Sequence, residues 1–194
     1  TTAGNAPVSF AGLAPAAPFA ILALGVVYAV GVDQPMGIYW PTIAGLLAGI
    51  VIGFTSDRFT DIDQNAVQST ANAANTGPAI LILDGFSYGL VSIVPSIVGI
   101  VIAMVAAWFL AEQNGLAGTY GVSVAAVGML AITGMIVSSD AYGPIVDNAK
   151  GCAEAGHEDE ETIRVCDRLD AAGNTAKAIT KGFAIGAAAL TVLA

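Results

Sequence analysis

Charge is what this sequence has least of. Asp, Glu, Lys and Arg together make up 11% of its 194 residues, against about a quarter in an ordinary soluble domain. That shortage removes the chain from the soluble classes. Basic residues are scarcer still, six against 15 acidic ones, for a formal net charge of −9. Nucleic acid is therefore excluded as a partner, because its phosphates need a basic face. Histidine occurs once and cysteine twice. Cys152 and Cys166 share one polar stretch without CxxC spacing, and His157 is the only imidazole near them. Neither a zinc site nor a disulfide framework follows from that set, and the two are read as free thiols. A basic-then-apolar leader is also missing. The chain opens on Thr1 and ends inside an apolar run, "FAIGAAALTVLA". The expectation is an internal part of a longer protein.

Apolar residues fill the space that charge leaves. They make up 56% of the chain, with a mean hydropathy of +0.76. Five apolar segments fall at about 17–32, 38–55, 80–111, 118–140 and 169–194. Most approach the roughly 20 residues that cross about 30 Å of hydrocarbon, and the first two are slightly short. The expected fold is all-α, a polytopic membrane helix bundle of about five transmembrane helices in one unit, residues 1–194. Tyr39, Trp40 and Trp108 stand near segment ends, where interfacial aromatics are expected. Gly45 and Gly49 in "GLLAG" have a small-xxx-small spacing that suits close helix packing within a bundle.

The connections are of two kinds. Those at 33–37 and 111–117 are short and contain no Lys or Arg. Those at 56–79 and 141–168 are long and polar and carry Arg58, Lys150, Arg164 and Arg168, with Lys177 and Lys181 just beyond. The positive-inside rule makes the long connections cytoplasmic loops of a multi-pass protein. The acidic run "EAGHEDEET" at 154–162 reads as solvated surface rather than a metal site.

Chemistry concentrates where apolar runs give way to charge. Asp140 follows the apolar stretch from Tyr120 to Ser139, and Asp147 lies seven residues on. Two turns of helix place both carboxylates on one face at the cytoplasmic boundary, with Gly143-Pro144 between them as a possible kink. A second stripe, Asp170, Asn174, Lys177 and Lys181, follows i, i+4, i+7, i+11 spacing. Carboxylates suit hard cations such as Mg²⁺, and lysines such as Lys181 suit phosphate. Together they point to a metal-chelated phosphate compound held at the mouth of a helix bundle. The competing reading is a secondary transporter or channel whose aspartates coordinate the transported ion.

The strings "GMLAITGMIVSSDAYGPIVDNAKG" and "RLDAAGNTAKAITKGFAIGAAALT" resemble the membrane-bound proton-pumping pyrophosphatases. "TSDRFTD", "ANTGPA" and "GFSYGLVSIVPSIV" resemble the same family less closely, so the likeness runs from about Gly45 to Ala194. The resemblance implies about five consecutive helices, extending in the fourth case to Asp147, of a fold of about 16 helices. It implies Mg²⁺-dependent hydrolysis of cytoplasmic pyrophosphate coupled to outward ion movement, in a homodimer embedded in lipid. Asp147 matches a carboxylate of the family's metal–pyrophosphate site, and Asn174 an asparagine of the same site. Asp140 and Asp170 match acidic positions around them. Lys177 and Thr180 match the residues of the K⁺-independent, proton-pumping branch. The lysine ammonium there stands in place of a monovalent cation, with Thr180 one turn on to help orient it. Departures are also present. Arg58-Phe59 replaces the family's tyrosine pair, and Ile80 an asparagine. The family's aspartate-rich motif and its gate glutamate have no counterpart in these residues.

Overall fold

The computed structural model describes residues 16–194. Every helix and strand assigned among them is a helix: α1 (Ala16–Ala29), α2 (Pro35–Thr60), α3 (Asn65–Ala73), α4 (Pro78–Gln113), α5 (Gly118–Leu130), α6 (Thr133–Ala155) and α7 (Glu160–Leu193). This is the all-α bundle the composition demands, because in hydrocarbon only a helix satisfies its own backbone polar groups.

Of the five apolar segments expected as spans, three or four meet a length and hydropathy test among the described residues. Among the described residues three stretches are long and apolar enough to cross a membrane: Pro35–Ala73, α4 and α7. A fourth arises if α5 and α6, bent by 43° at their junction, count as one span. Within the described residues α1 covers 14 residues, about 21 Å. The α5–α6 break lies inside the single helix expected over 118–147. There the Ala131 N–H donates to the Gly128 carbonyl at 3.2 Å, a tightened i−3 bond in place of the i−4 bond.

The polar stretches are a second difference. Residues 56–79 and 141–168, expected as loops, are mostly helical. α2 continues to Thr60, α3 follows, α6 runs on to Ala155, and α7 begins at Glu160. Only residues 156–159 separate α6 from α7. The Glu158 N–H returns to the Ala153 carbonyl, and His157 takes a left-handed φ of 54° to close the turn. Asp159 then caps α7, accepting from the Thr162 N–H at 2.9 Å, and Glu160 and Glu161 oppose the positive end of the helix dipole.

Small residues set how closely the helices pack. A Cβ on Gly45 would overlap the Ala125 carbonyl, and one on Gly128 the Thr42 carbonyl, so α2 and α5 meet backbone to backbone. Gly49 faces Phe183 and Met129, so the "GLLAG" glycines serve packing within the bundle. Around this crossing Leu46, Ile52, Val122, Met129, Phe183 and Leu190 form the buried core. At one end Gly37 of α2 meets Leu116 between α4 and α5. At the other, the Thr175 hydroxyl reaches the Thr60 carbonyl at 3.4 Å and Gly182 packs on Ser56. All six basic residues lie toward this second end, on or beyond the apolar parts of α2, α6 and α7.

Candidate functional site

The α6–α7 hairpin builds the candidate site. Both helices leave the apolar core as continuous helix, so their polar stripes stand side by side, held by a glycine contact. A Cβ on Gly173 would come 2.9 Å from the Gly143 Cα and 2.8 Å from the Val146 Cγ2. Neither backbone can carry a side chain at that point without separating the helices.

Gly143 also makes room for Lys177. A Cβ there would lie 2.5 Å from the Lys177 Cε. The lysine stem therefore crosses from α7 onto α6 at the turn between Asp140 and Asp147, which share a face with Gly143. Its ammonium donates to the Asn174 Oδ1 at 3.3 Å. The Asn174 Nδ2 in turn donates to the Asp170 Oδ1 at 3.4 Å. The i, i+4, i+7 stripe is thus one connected line, Asp170–Asn174–Lys177. Lys181 continues it, exposed and without an ion pair among the described residues.

The two α6 aspartates remain separate. Asp140 is half-buried and Asp147 exposed. Pro144 lies inside the helix between them, and the helix continues across it. Seven residues is about 10 Å along the axis, too far for both carboxylates to chelate one ion. No group of three or more His, Cys, Asp or Glu arranged to hold a metal occurs among the described residues. The donor set still fits Mg²⁺ in part. That ion keeps several waters and takes only one or two protein carboxylates beside phosphate oxygens, which is what an exposed Asp147 can offer.

Thr180 meets backbone carbonyls. Its hydroxyl donates to the Ala176 carbonyl at 3.0 Å and lies 3.4 Å from the Ile136 carbonyl of α6. In this structure it ties α7 to α6. A β-branched hydroxyl inside a helix finds the i−4 carbonyl first. Lys177 is not paired with Asp170 or Asp147.

Lys150 is the residue that sequence reasoning passed over, using it for topology alone. Its ammonium sits 2.8 Å from the Asp167 Oδ1 and 3.8 Å from the Asp170 Oδ2. Counting back equally from the 156–159 turn along both arms of the hairpin sets Lys150 opposite Val165, within about one and a half turns of both aspartates. Reading 141–168 as a loop hid that register. The cysteines are free, Cys152 exposed and Cys166 half-buried.

Residues 8–194 match the family model described as inorganic H⁺ pyrophosphatase. The chain belongs to this family. A relative from Clostridium tetani, a putative K⁺-stimulated pyrophosphate-energized sodium pump, is 44% identical over 80% of the chain and 23% of its own length. A K⁺-insensitive pyrophosphate-energized proton pump from Caldanaerobacter subterraneus is 41% identical over 79% of the chain and 22% of its own length. The K⁺-stimulated pyrophosphate-energized sodium pump of Thermotoga maritima is 38% identical over 80% of the chain and 20% of its own length. The chain thus spans between a fifth and a quarter of the length of these relatives. The chain is accordingly an integral, multi-pass membrane sequence of this family, and the apolar helices described above are long and apolar enough to be its membrane-crossing part.

Proposed function

We propose that this chain supplies part of the pyrophosphate site of a membrane ion pump. In that pump, hydrolysis of cytoplasmic pyrophosphate drives protons outward and needs no K⁺. The observation that carries the reading is Lys177. Its stem lies on Gly143 between the two α6 aspartates, and its ammonium contacts Asn174, at the end of the bundle where all six basic residues gather. An ammonium held at Asn174, with its stem over Gly143, would occupy the place a monovalent cation takes next to bound phosphate.

Each residue has a distinct role in this reading. Asp147 offers hard oxygen to Mg²⁺ that accompanies pyrophosphate, and Asp140, two turns deeper, could serve only a separate ion. The bound metal would supply Lewis-acid stabilisation of the phosphate oxygens. Asn174 orients substrate or attacking water through its amide, and Lys177 and Lys181 meet phosphate charge. The remaining ligands come from other parts of the whole protein, which functions as a homodimer in lipid. The long cytoplasmic ends of α6 and α7 keep these charges out of hydrocarbon, where each would cost about 2.5–3.5 kcal/mol.

Sodium transport is the second reading, because the Clostridium tetani and Thermotoga maritima relatives are named as sodium pumps. One experiment addresses both. The whole protein is reconstituted in vesicles, and pyrophosphate hydrolysis and ion uptake are followed with and without Na⁺ and K⁺. Acidification of the lumen without either ion is expected, and Asp147→Asn should abolish hydrolysis while insertion is kept. Hydrolysis that requires Na⁺ favours the second reading, and a fully active Asp147→Asn variant removes Asp147 from the site.

A further inference from the structure

The polar contacts between α6 and α7 close a circuit. From α6, the Lys150 ammonium reaches Asp167 and Asp170 on α7, at 2.8 and 3.8 Å. The other oxygen of Asp170 holds the Asn174 amide nitrogen at 3.4 Å. The Asn174 amide oxygen holds the Lys177 ammonium at 3.3 Å. The Lys177 stem then returns to α6 over Gly143. The two crossings strike α6 at 143 and 150. Asp147 lies between them, at i+4 from the first and i−3 from the second, on the same face.

Each link constrains the next. An amide side chain has one acceptor oxygen and one donor nitrogen, so engaging both ends fixes its rotation. Asp170 can hold the nitrogen end of Asn174 only while its own carboxylate stays in place. That carboxylate is only 17% exposed and has Lys150 as its cation. Without Lys150, the next cation on its face is Lys177, seven residues along α7. An uncompensated Asp170 would draw that ammonium away from Asn174 and from the space over Gly143.

We infer that Lys150 is a positioning residue of the pyrophosphate site, fixing the Asn174 amide and the Lys177 ammonium through Asp170 without touching substrate itself. The inference rests on the site proposed above. It gives α6 a second, opposite charge on the Asp147 face and makes the approach of the hairpin arms part of the chemistry. Distance favours it over an ordinary surface pair. Lys150–Asp167 alone would be incidental, but the same ammonium is shared with Asp170, which is hydrogen-bonded to a residue of the site.

The test is a coupling measurement in the whole protein. Lys150 and Asp167 both reach solvent, so Lys150→Met leaves the fold intact, and Lys150→Arg keeps the cation. Lys150→Met is expected to lower kcat/KM for Mg²⁺-pyrophosphate by roughly threefold to tenfold, with Lys150→Arg restoring most of it. In an Asn174→Ala background the same substitution should cost clearly less, because the amide it acts through is gone and only the place of the Lys177 ammonium is left to lose. A purely structural lysine would lower activity by the same factor in both backgrounds. Equal losses in both, or none in either, overturn the relay while leaving the pyrophosphate site standing. An unmodified protein that does not hydrolyse pyrophosphate overturns the site, and the relay with it.

Discussion

Replacing Gly173 by alanine tests whether the glycine contact between α6 and α7 sets the geometry of the site. The new Cβ would sit 2.9 Å from the Gly143 Cα and 2.8 Å from the Val146 Cγ2. Carbon atoms rest at about 3.5–4.0 Å, so the helices must part by roughly 0.6–1.1 Å, or Val146 must rotate while the backbone still yields to Gly143. Overpacking of this size costs about 1–3 kcal/mol, and the gain of alanine over glycine in a helix returns about 0.5–1 kcal/mol. The net loss of stability is therefore small, on the order of 1 kcal/mol. Activity should suffer more, because a displacement of about 1 Å at reacting groups can cost on the order of a hundredfold. Gly134→Ala is the control, with nothing within 4 Å of its added Cβ. Hydrolysis kinetics and thermal unfolding of the purified whole protein measure the two effects side by side. The expected result is at least a tenfold fall in kcat/KM for Gly173→Ala with a thermal midpoint within a few degrees of the unmodified protein. Gly134→Ala should be unchanged in activity. A Gly173→Ala variant as active and as stable as the original would show that α6 and α7 are not in this contact when the enzyme works.

Three other outcomes follow from particular residues. Lys177→Ala empties the space over Gly143, and hydrolysis by that variant should rise severalfold with added K⁺ while the unmodified protein stays indifferent; a variant equally indifferent refutes the cation role. Asp159→Ala should speed amide exchange over 159–165 roughly fivefold at neutral pH. Hydrogen bonds from the Thr162 backbone, then its hydroxyl, hold the Asp159 carboxyl below its ordinary value, so the cap stabilises fully above the ordinary carboxylate range and fades as pH falls through the lowered value; the unmodified turn should loosen there and the variant should show no such step. A membrane-impermeant thiol reagent should modify exposed Cys152 only from the cytoplasmic side, and labelling from outside intact cells would invert the topology.

The sequence announced the bundle through what it cannot dissolve. Long apolar runs, scarce charge and Lys or Arg gathered in two connections dictate helices across a membrane with one basic end, and the structure has both. The stripe from Asp170 to Lys177 was equally legible, because helical spacing alone aligns Asp170, Asn174 and Lys177 and local hydrogen bonds complete the line. The register between the two arms of the hairpin was harder to read. Residues 141–168 look like a loop when polarity is taken to mean irregularity, but polarity there means only that the helix has left the hydrocarbon. Alanine, an acidic first turn and the Asp159 cap favour helix in water as well. The start of α7 was therefore written in the sequence as a capping signal and was masked by the acidic run around it. Thr180 shows a different limit of spacing. Spacing puts it one turn from Lys177, but a hydroxyl in a helix has backbone carbonyls much nearer than any ammonium, and those decide where its proton goes. Spacing can place residues on one face; which atom each one holds depends on competition among neighbours within about 3.5 Å. Lys150 shows the consequence. Its partners lie 17 and 20 residues away in sequence, beyond the reach of any periodicity, and become visible only once the turn at 156–159 folds one arm of the hairpin back against the other.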